Sequence, residues 1–128
     1  MTTFFVAGVP APQGSKRLVR SGARTLMIDA NSEALKEWRR TVTMCAPRLD
    51  YEPRVPLLVE LNFTMPATLK DREGWCAVRP DIDKLSRAVL DSLTDAGTLA
   101  DDSQVVGLVA TKRRGIRAGV MVTVEVAT

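Results

Sequence analysis

The chain has 128 residues, 45% hydrophobic and 26% charged, with a formal net charge of +3. That is enough for a single domain spanning residues 1–128, with a core that needs no disulfide or metal to fold. Histidine is absent, which excludes Ser-His-Asp and Cys-His chemistry, histidine general bases and histidine-ligated zinc.

The apolar run "TFFVAGV" (3–9) predicts a strand, and "PAPQGSKR" behind it a Pro/Gly loop. Residues 18–28 resemble a hairpin turning at Ser21-Gly22. Asn31 or Ser32 can cap a helix to about Cys45, with Leu35, Trp38, Val42 and Cys45 as its apolar face and Pro47 as its stop. In "VPLLVELNFTM", Leu57, Val59, Leu61, Phe63 and Met65 alternate with Leu58, Glu60, Asn62 and Thr64, the period of a half-buried strand. Residues 66–80 have no consistent period and read as a long loop. A second helix follows over residues 84–96, with Leu85, Ala88, Val89, Leu93 and Ala96 as its buried stripe and Gly97 as terminator. Two strands end the chain, "QVVGLVATK" and "GVMVTVEVA", with Val120, Val122, Val124 and Val126 facing one way. This order predicts an α/β (α+β) domain: a mixed sheet of about four to five strands flanked by two main helices.

Cys45 and Cys76 lack metal-ligand spacing and read as unpaired thiols of a reducing compartment, the cytoplasm. No apolar run approaches the ~20 residues of a membrane span. The N-terminus has no basic region ahead of its short apolar run, unlike a signal peptide.

Charge is unevenly spread. Residues 1–28 hold Lys16, Arg17, Arg20 and Arg24 and no acid; residues 110–120 hold Lys112, Arg113, Arg114 and Arg117 and no acid. Basic flanks around an acidic centre suit a polyanion held around a metal-binding site, although solvated hairpin tips have the same composition.

The acidic centre is "RPDIDKLSRAVLDSLTDAGTLADDSQVV" (79–106). Asp81 and Asp83 stand two apart ahead of the helix, so in extended chain their carboxylates share a face and repel unless a cation holds them. Oxygen-only ligands fit a hard ion, Mg²⁺ or Mn²⁺. Taken singly, each has a strong structural reading, Asp83 as an N-cap and Asp81 as a turn residue, and a lone Asp-x-Asp is a weak motif. The helix carries the chain ~20 Å away, and six extended residues from Gly97 span ~20 Å back. Asp102 therefore reaches Asp81 and Asp83 of the same chain only if the return runs nearly straight along the helix. Arg87, four residues after Asp83, either pairs with it or clamps a phosphate oxygen. Asp91 either orients Arg87 or is solvated, Asp95 reads as solvated, and Asp101 is a neighbour able to substitute or support.

This stretch resembles the core signature of RusA-like Holliday junction resolvases, a P-D-x-D-N helix start followed by D-D-x-Q-V; "GVPAPQGSKR" matches the family's entry segment. The resemblance implies a homodimer with a mixed sheet, Mg²⁺ dependence, catalytic and metal-binding aspartates at Asp81, Asp83 and Asp102, and a basic helix residue at Arg87. Two positions depart from the pattern: Lys84 stands where the family has Asn, and Arg87 where it usually has Lys. Arginine can clamp phosphate but does not give up a proton near neutral pH, so an electrostatic role survives and a proton-donor role does not. Lys84 either contacts DNA or weakens metal binding.

The expected activity is Mg²⁺-dependent phosphodiester hydrolysis that resolves four-way DNA junctions by paired symmetric cuts, with Mn²⁺ as a possible substitute and no organic cofactor. Lys16, Arg17, Lys84, Lys112, Arg113 and Arg114 are the expected DNA contacts, and Trp75 in the 67–79 loop either stacks on a base or anchors its loop. A metal nuclease of other branched DNA and a non-catalytic DNA-binding protein are the alternatives.

Overall fold

A computed structural model describes the backbone of all residues except 15, 23, 30 and 31, and the side chains of residues 1–14, 22 and 33–128. The elements are β1 (Thr2–Ala7), β2 (Lys16–Ser21), β3 (Arg24–Asp29), α1 (Ser32–Cys45), β4 (Leu57–Pro66), β5 (Gly74–Trp75), α2 (Ile82–Ala96), a 3₁₀ turn (Asp102–Gln104), β6 (Val105–Gly115) and β7 (Gly119–Val126). Five strands form one mixed sheet in the order β1-β7-β4-β6-β5, and β2 and β3 pair separately as a hairpin. β4 and β6 are parallel, joined through α2; β7 runs antiparallel to both β4 and β1. The expected mixed sheet with two helices is thus the observed fold.

Alternation along β4 buries Leu57, Val59, Leu61, Phe63 and Met65 against the helices, and β7 adds Val120, Val122 and Val124. The helices answer with Leu35, Trp38 and Val42 from α1 and Leu85, Ala88, Val89 and Leu93 from α2. Cys45 does not complete the α1 stripe: it is exposed in the last turn of the helix. The sheet closes tightly on itself at Gly119, where a Cβ would lie 2.2 Å from the Val6 carbonyl oxygen.

The long loop differs from expectation in one respect. It holds a two-residue strand, β5, paired with Arg113 and Arg114 at the far end of β6. Two residues carry no readable period, so only the partner strand reveals it. α2 also starts earlier than predicted, at Ile82, because Asp81 rather than Asp83 takes the N-cap position.

Candidate active site

Pro80 and Asp81 lead into α2 beside the C-terminal ends of β4 and β6, where crossover units of this kind place their ligands. Lys112, near the end of β6, fixes that approach. Its ammonium donates to the carbonyls of Val78 and Pro80, 2.6 Å each. A side chain expected on DNA is therefore committed to the chain's own backbone. Arg114 behaves likewise, donating to the Pro66 carbonyl at 3.0 Å. Of the three, Arg113 faces outward, stacked 3.8 Å over the exposed Trp75 ring. Trp75 thus presents an aromatic face with a cation on it, a pair suited to a base and its phosphate.

Asp81 occupies the N-cap position with extended backbone, yet its carboxylate makes no capping hydrogen bond. Its nearest charged partner is Lys84, 3.9 Å away and partly exposed. Asp83 lies exposed in the first turn of α2. Among the described residues it makes no ion pair with Arg87, so the simple i,i+4 pair is not formed. A groove of about 1000 Å³ opens beside this end of α2, lined by Pro10, Pro12, Trp38, Arg79, Asp81 and Lys84. Arg79 is exposed there, a cation that sequence reasoning passed over.

The entry loop is bound to the same helix by Gln13, a residue of the GVPAPQGSKR segment to which the sequence alone assigns no role. Its backbone N–H donates to the Lys84 carbonyl at 3.0 Å, and its side-chain amide donates to Asp91 at 2.5 Å. Arg39 of α1 donates to the Gln13 amide oxygen at 3.3 Å and to Asp95 at 3.0 Å. Residues 84, 87, 91 and 95 share one stripe of α2. Gln13 grips the stripe on both sides of Arg87, and a Cβ at Gly14 would stand 3.3 Å from an Arg87 nitrogen. Asp91 therefore takes Gln13 rather than Arg87 as its direct partner, and Asp95 is bridged to α1 rather than simply solvated. The loop leads into β2, but the Lys16 and Arg17 side chains lie outside the described residues.

The other end of α2 is different. Gly97 turns the chain in the left-handed region (φ 82°), and Thr98 and Leu99 bond back to the Leu93 carbonyl at 2.9 and 3.2 Å. Both are buried, and the Thr98 hydroxyl donates to Pro47 at 2.6 Å. The return is thereby held at the C-terminal end of the helix instead of running back along it. β6 starts at that end, and Val105 lies about 23 Å of strand away from Lys112 at ~3.3 Å per residue. Asp102, ahead of Val105, is thus remote from Asp81 and Asp83 of its own chain. Among the described residues no group of three His, Cys, Asp or Glu is placed to hold a metal ion. The expectation that one chain gathers all three carboxylates is corrected accordingly: the reach existed, but the burial of Thr98 and Leu99 spends it.

Asp101 and Gln104 explain much of the D-D-x-Q-V signature. Asp101 caps the 3₁₀ turn, accepting from the Ser103 N–H at 3.0 Å and from the Ser103 hydroxyl. These bonds, the hydroxyl first, hold its carboxyl below the usual carboxylate range. Gln104 is buried with its amide fully used. Its oxygen accepts from Ala100 and Asp101 N–H at 2.7 and 3.2 Å, and its nitrogen donates to Glu52 and Val55 carbonyls at 2.9 and 3.1 Å. Asp102 is left exposed and outside this cap.

A family model described as endodeoxyribonuclease RusA matches residues 7–125. No curated protein matches the chain.

Proposed function

Because the chain belongs to the RusA endodeoxyribonuclease family, we propose that it is a Mg²⁺-dependent, structure-specific endonuclease that resolves four-way DNA junctions during recombination and repair by paired, symmetric cleavage. The observation that carries this reading is the Asp81–Asp83 pair, two exposed carboxylates at a helix start: Asp81 makes no capping hydrogen bond and only a 3.9 Å contact with Lys84, and among the described residues Asp83 has no ion pair.

The pair supplies hard oxygen donors that fit Mg²⁺ or Mn²⁺, but one chain offers only two of the three expected. When bound, the cation would supply water activation and offset charge on the leaving oxygen. The chain's own residues do the rest. Arg87, exposed with its guanidinium beside Gly14, steadies the negative phosphate in the transition state without exchanging a proton. Lys84 and Arg79 draw the backbone towards the pair, and the Arg113–Trp75 stack meets bases unpaired at the branch. Lys16 and Arg17 are further proposed contacts to the DNA backbone, on their charge alone.

Two cuts in symmetry-related strands call for two sites, and a twofold homodimer provides them. The free thiols Cys45 and Cys76 suit a reducing compartment, the cytoplasm.

The test is cleavage of a synthetic four-way junction, a flap and a duplex, with and without Mg²⁺, mapping both strands. Paired symmetric nicks on the junction support the reading. Cleavage of flaps alone would favour a nuclease of other branched DNA, and binding without any divalent-dependent cleavage a non-catalytic binder.

A further inference from the structure

Two branched aliphatic side chains project from the end of the sheet that carries the acidic pair: Leu69 is 95% accessible and Ile116 92%. Neither serves the core, yet both are held in place. Leu69 sits in a turn closed by Thr68 and Asp71. The Thr68 N–H donates to the Asp71 carbonyl at 2.8 Å, and the Asp71 N–H to the Thr68 hydroxyl at 2.9 Å. Ile116 follows Gly115, the last residue of β6, in the turn to β7. The two turns are laced together: the Ala67 N–H donates to the Gly115 carbonyl and the Arg114 guanidinium to the Pro66 carbonyl, 3.0 Å each. Isolated exposed aliphatics are ordinary on a protein surface. Two on adjoining, hydrogen-bonded tips, where turns usually carry polar residues or glycine, are not.

We propose that Leu69 and Ile116 form an apolar wedge that enters between bases at the branch of a DNA junction, and that this wedge makes the protein prefer branched over continuous duplex DNA. The proposal rests on the nuclease reading for its substrate.

The partner follows from charge. Within the Leu69 loop, Asp71 and Glu73 offset Lys70 and Arg72, but residues 112–117 hold four cations and no acid. Lys112 and Arg114 are committed to carbonyls. Arg113 and Arg117 are exposed, each stacked on a ring, Trp75 at 3.8 Å and Phe5 at 4.4 Å. Ile116 lies between them in the chain. Apolar tips beside anchored cations complement the two surfaces of a nucleic acid, base faces and phosphates. Position follows from the strand. Gly115 is three residues past Lys112, whose ammonium holds the Pro80 carbonyl next to Asp81. The tips therefore stand about 10 Å of strand beyond that contact. Selectivity follows from stacking. An aliphatic side chain entering a continuous duplex must unstack a base step, whereas at a branch the stack is already interrupted and the cost is least.

The double variant Leu69→Ser, Ile116→Ser tests this, and at such exposed positions it keeps the fold. Binding is measured without divalent ions, at one fixed salt concentration, on a four-way junction and on a duplex of the same sequence. The wild type is expected to bind the junction more tightly. It is also expected to brighten a fluorescent adenine analogue at the branch, which emits when unstacked. The serine variant should lose most of that brightening and about tenfold of the junction-to-duplex affinity ratio, the scale of one lost stacking contact. The conservative variant Leu69→Met, Ile116→Leu should retain both.

A serine variant that keeps the ratio and the brightening overturns the wedge, as does a wild type that binds junction and duplex equally. Flotation of the wild type with anionic phosphatidylserine vesicles, lost in the serine variant and with no fluorescence change at the branch, overturns it in favour of a membrane contact. If the wild type shows the ratio and the brightening and the serine variant loses them, yet neither cuts a junction with Mg²⁺ or Mn²⁺, the nuclease reading falls and the wedge stands.

Discussion

The two ends of α2 both carry adjacent or near-adjacent aspartates, and they use them in opposite ways. At the C-terminal end Asp101 is saturated by Ser103, and the neighbouring Gln104 spends every hydrogen-bonding group on the backbone. At the N-terminal end Asp81 sits where a cap belongs and does not cap. Residue type is the same; what differs is whether the oxygens already have work inside the fold. Carboxylates left without it are the ones available to an ion or a substrate.

The sharpest way to break this contrast is at the unused end. Asp81→Asn or Asp83→Asn should lower junction cleavage by about 10²–10³-fold, the scale of losing a main electrostatic contributor, with an unchanged urea midpoint. Equal loss of folding stability would show these residues to be structural after all. Next in size is the saturated end. Gln104→Ala strands two N–H groups and two carbonyls that the buried amide had satisfied, and should cost about 1–3 kcal/mol of stability by urea unfolding. Asp102→Asn beside it should leave stability in place and remove cleavage.

A smaller effect is expected at Gln13. Gln13→Ala frees the loop that backs Arg87, and ångström-scale misplacement should slow single-turnover cleavage about tenfold while junction affinity holds. A change in affinity alone would make Gln13 a DNA contact instead. The smallest concerns pH. The Asp101 carboxyl is held below its ordinary value by Ser103, so its contribution is present above the unfolded value of about 3.9 and is lost as pH falls through the lower, folded value. Asp101→Asn should keep the cap and flatten that part of the acid-unfolding curve.

Much of the fold was readable from pattern. β4 alternates without a break, and the stripe of α2 recurs at helical spacing, so both were placed to within a residue or two. The Asp81–Asp83 pair was legible too, because two short carboxylates after a proline mark a helix start. What failed depends on tertiary choices. The six residues after Gly97 were long enough to reach back along α2, and only the burial of Thr98 and Leu99 shows that they turn under it. Lys112 and Arg113 look alike in sequence, but their neighbours come from the long loop, which carries no periodicity. Gln13 and Gln104 lie inside the quoted motifs yet had no role assigned, because a neutral amide has no charge signature; its importance appears only once its partners surround it.

Lys112 has a final consequence, for counterions. A cation counted in the net charge is usually expected to release one condensed ion when it meets DNA, steepening the fall of affinity with salt. An ammonium already held by two carbonyls at 2.6 Å has surrendered that option. With Arg114 bonded to Pro66 as well, the basic run Lys112, Arg113 and Arg114 should register in a salt titration as about one phosphate contact rather than three.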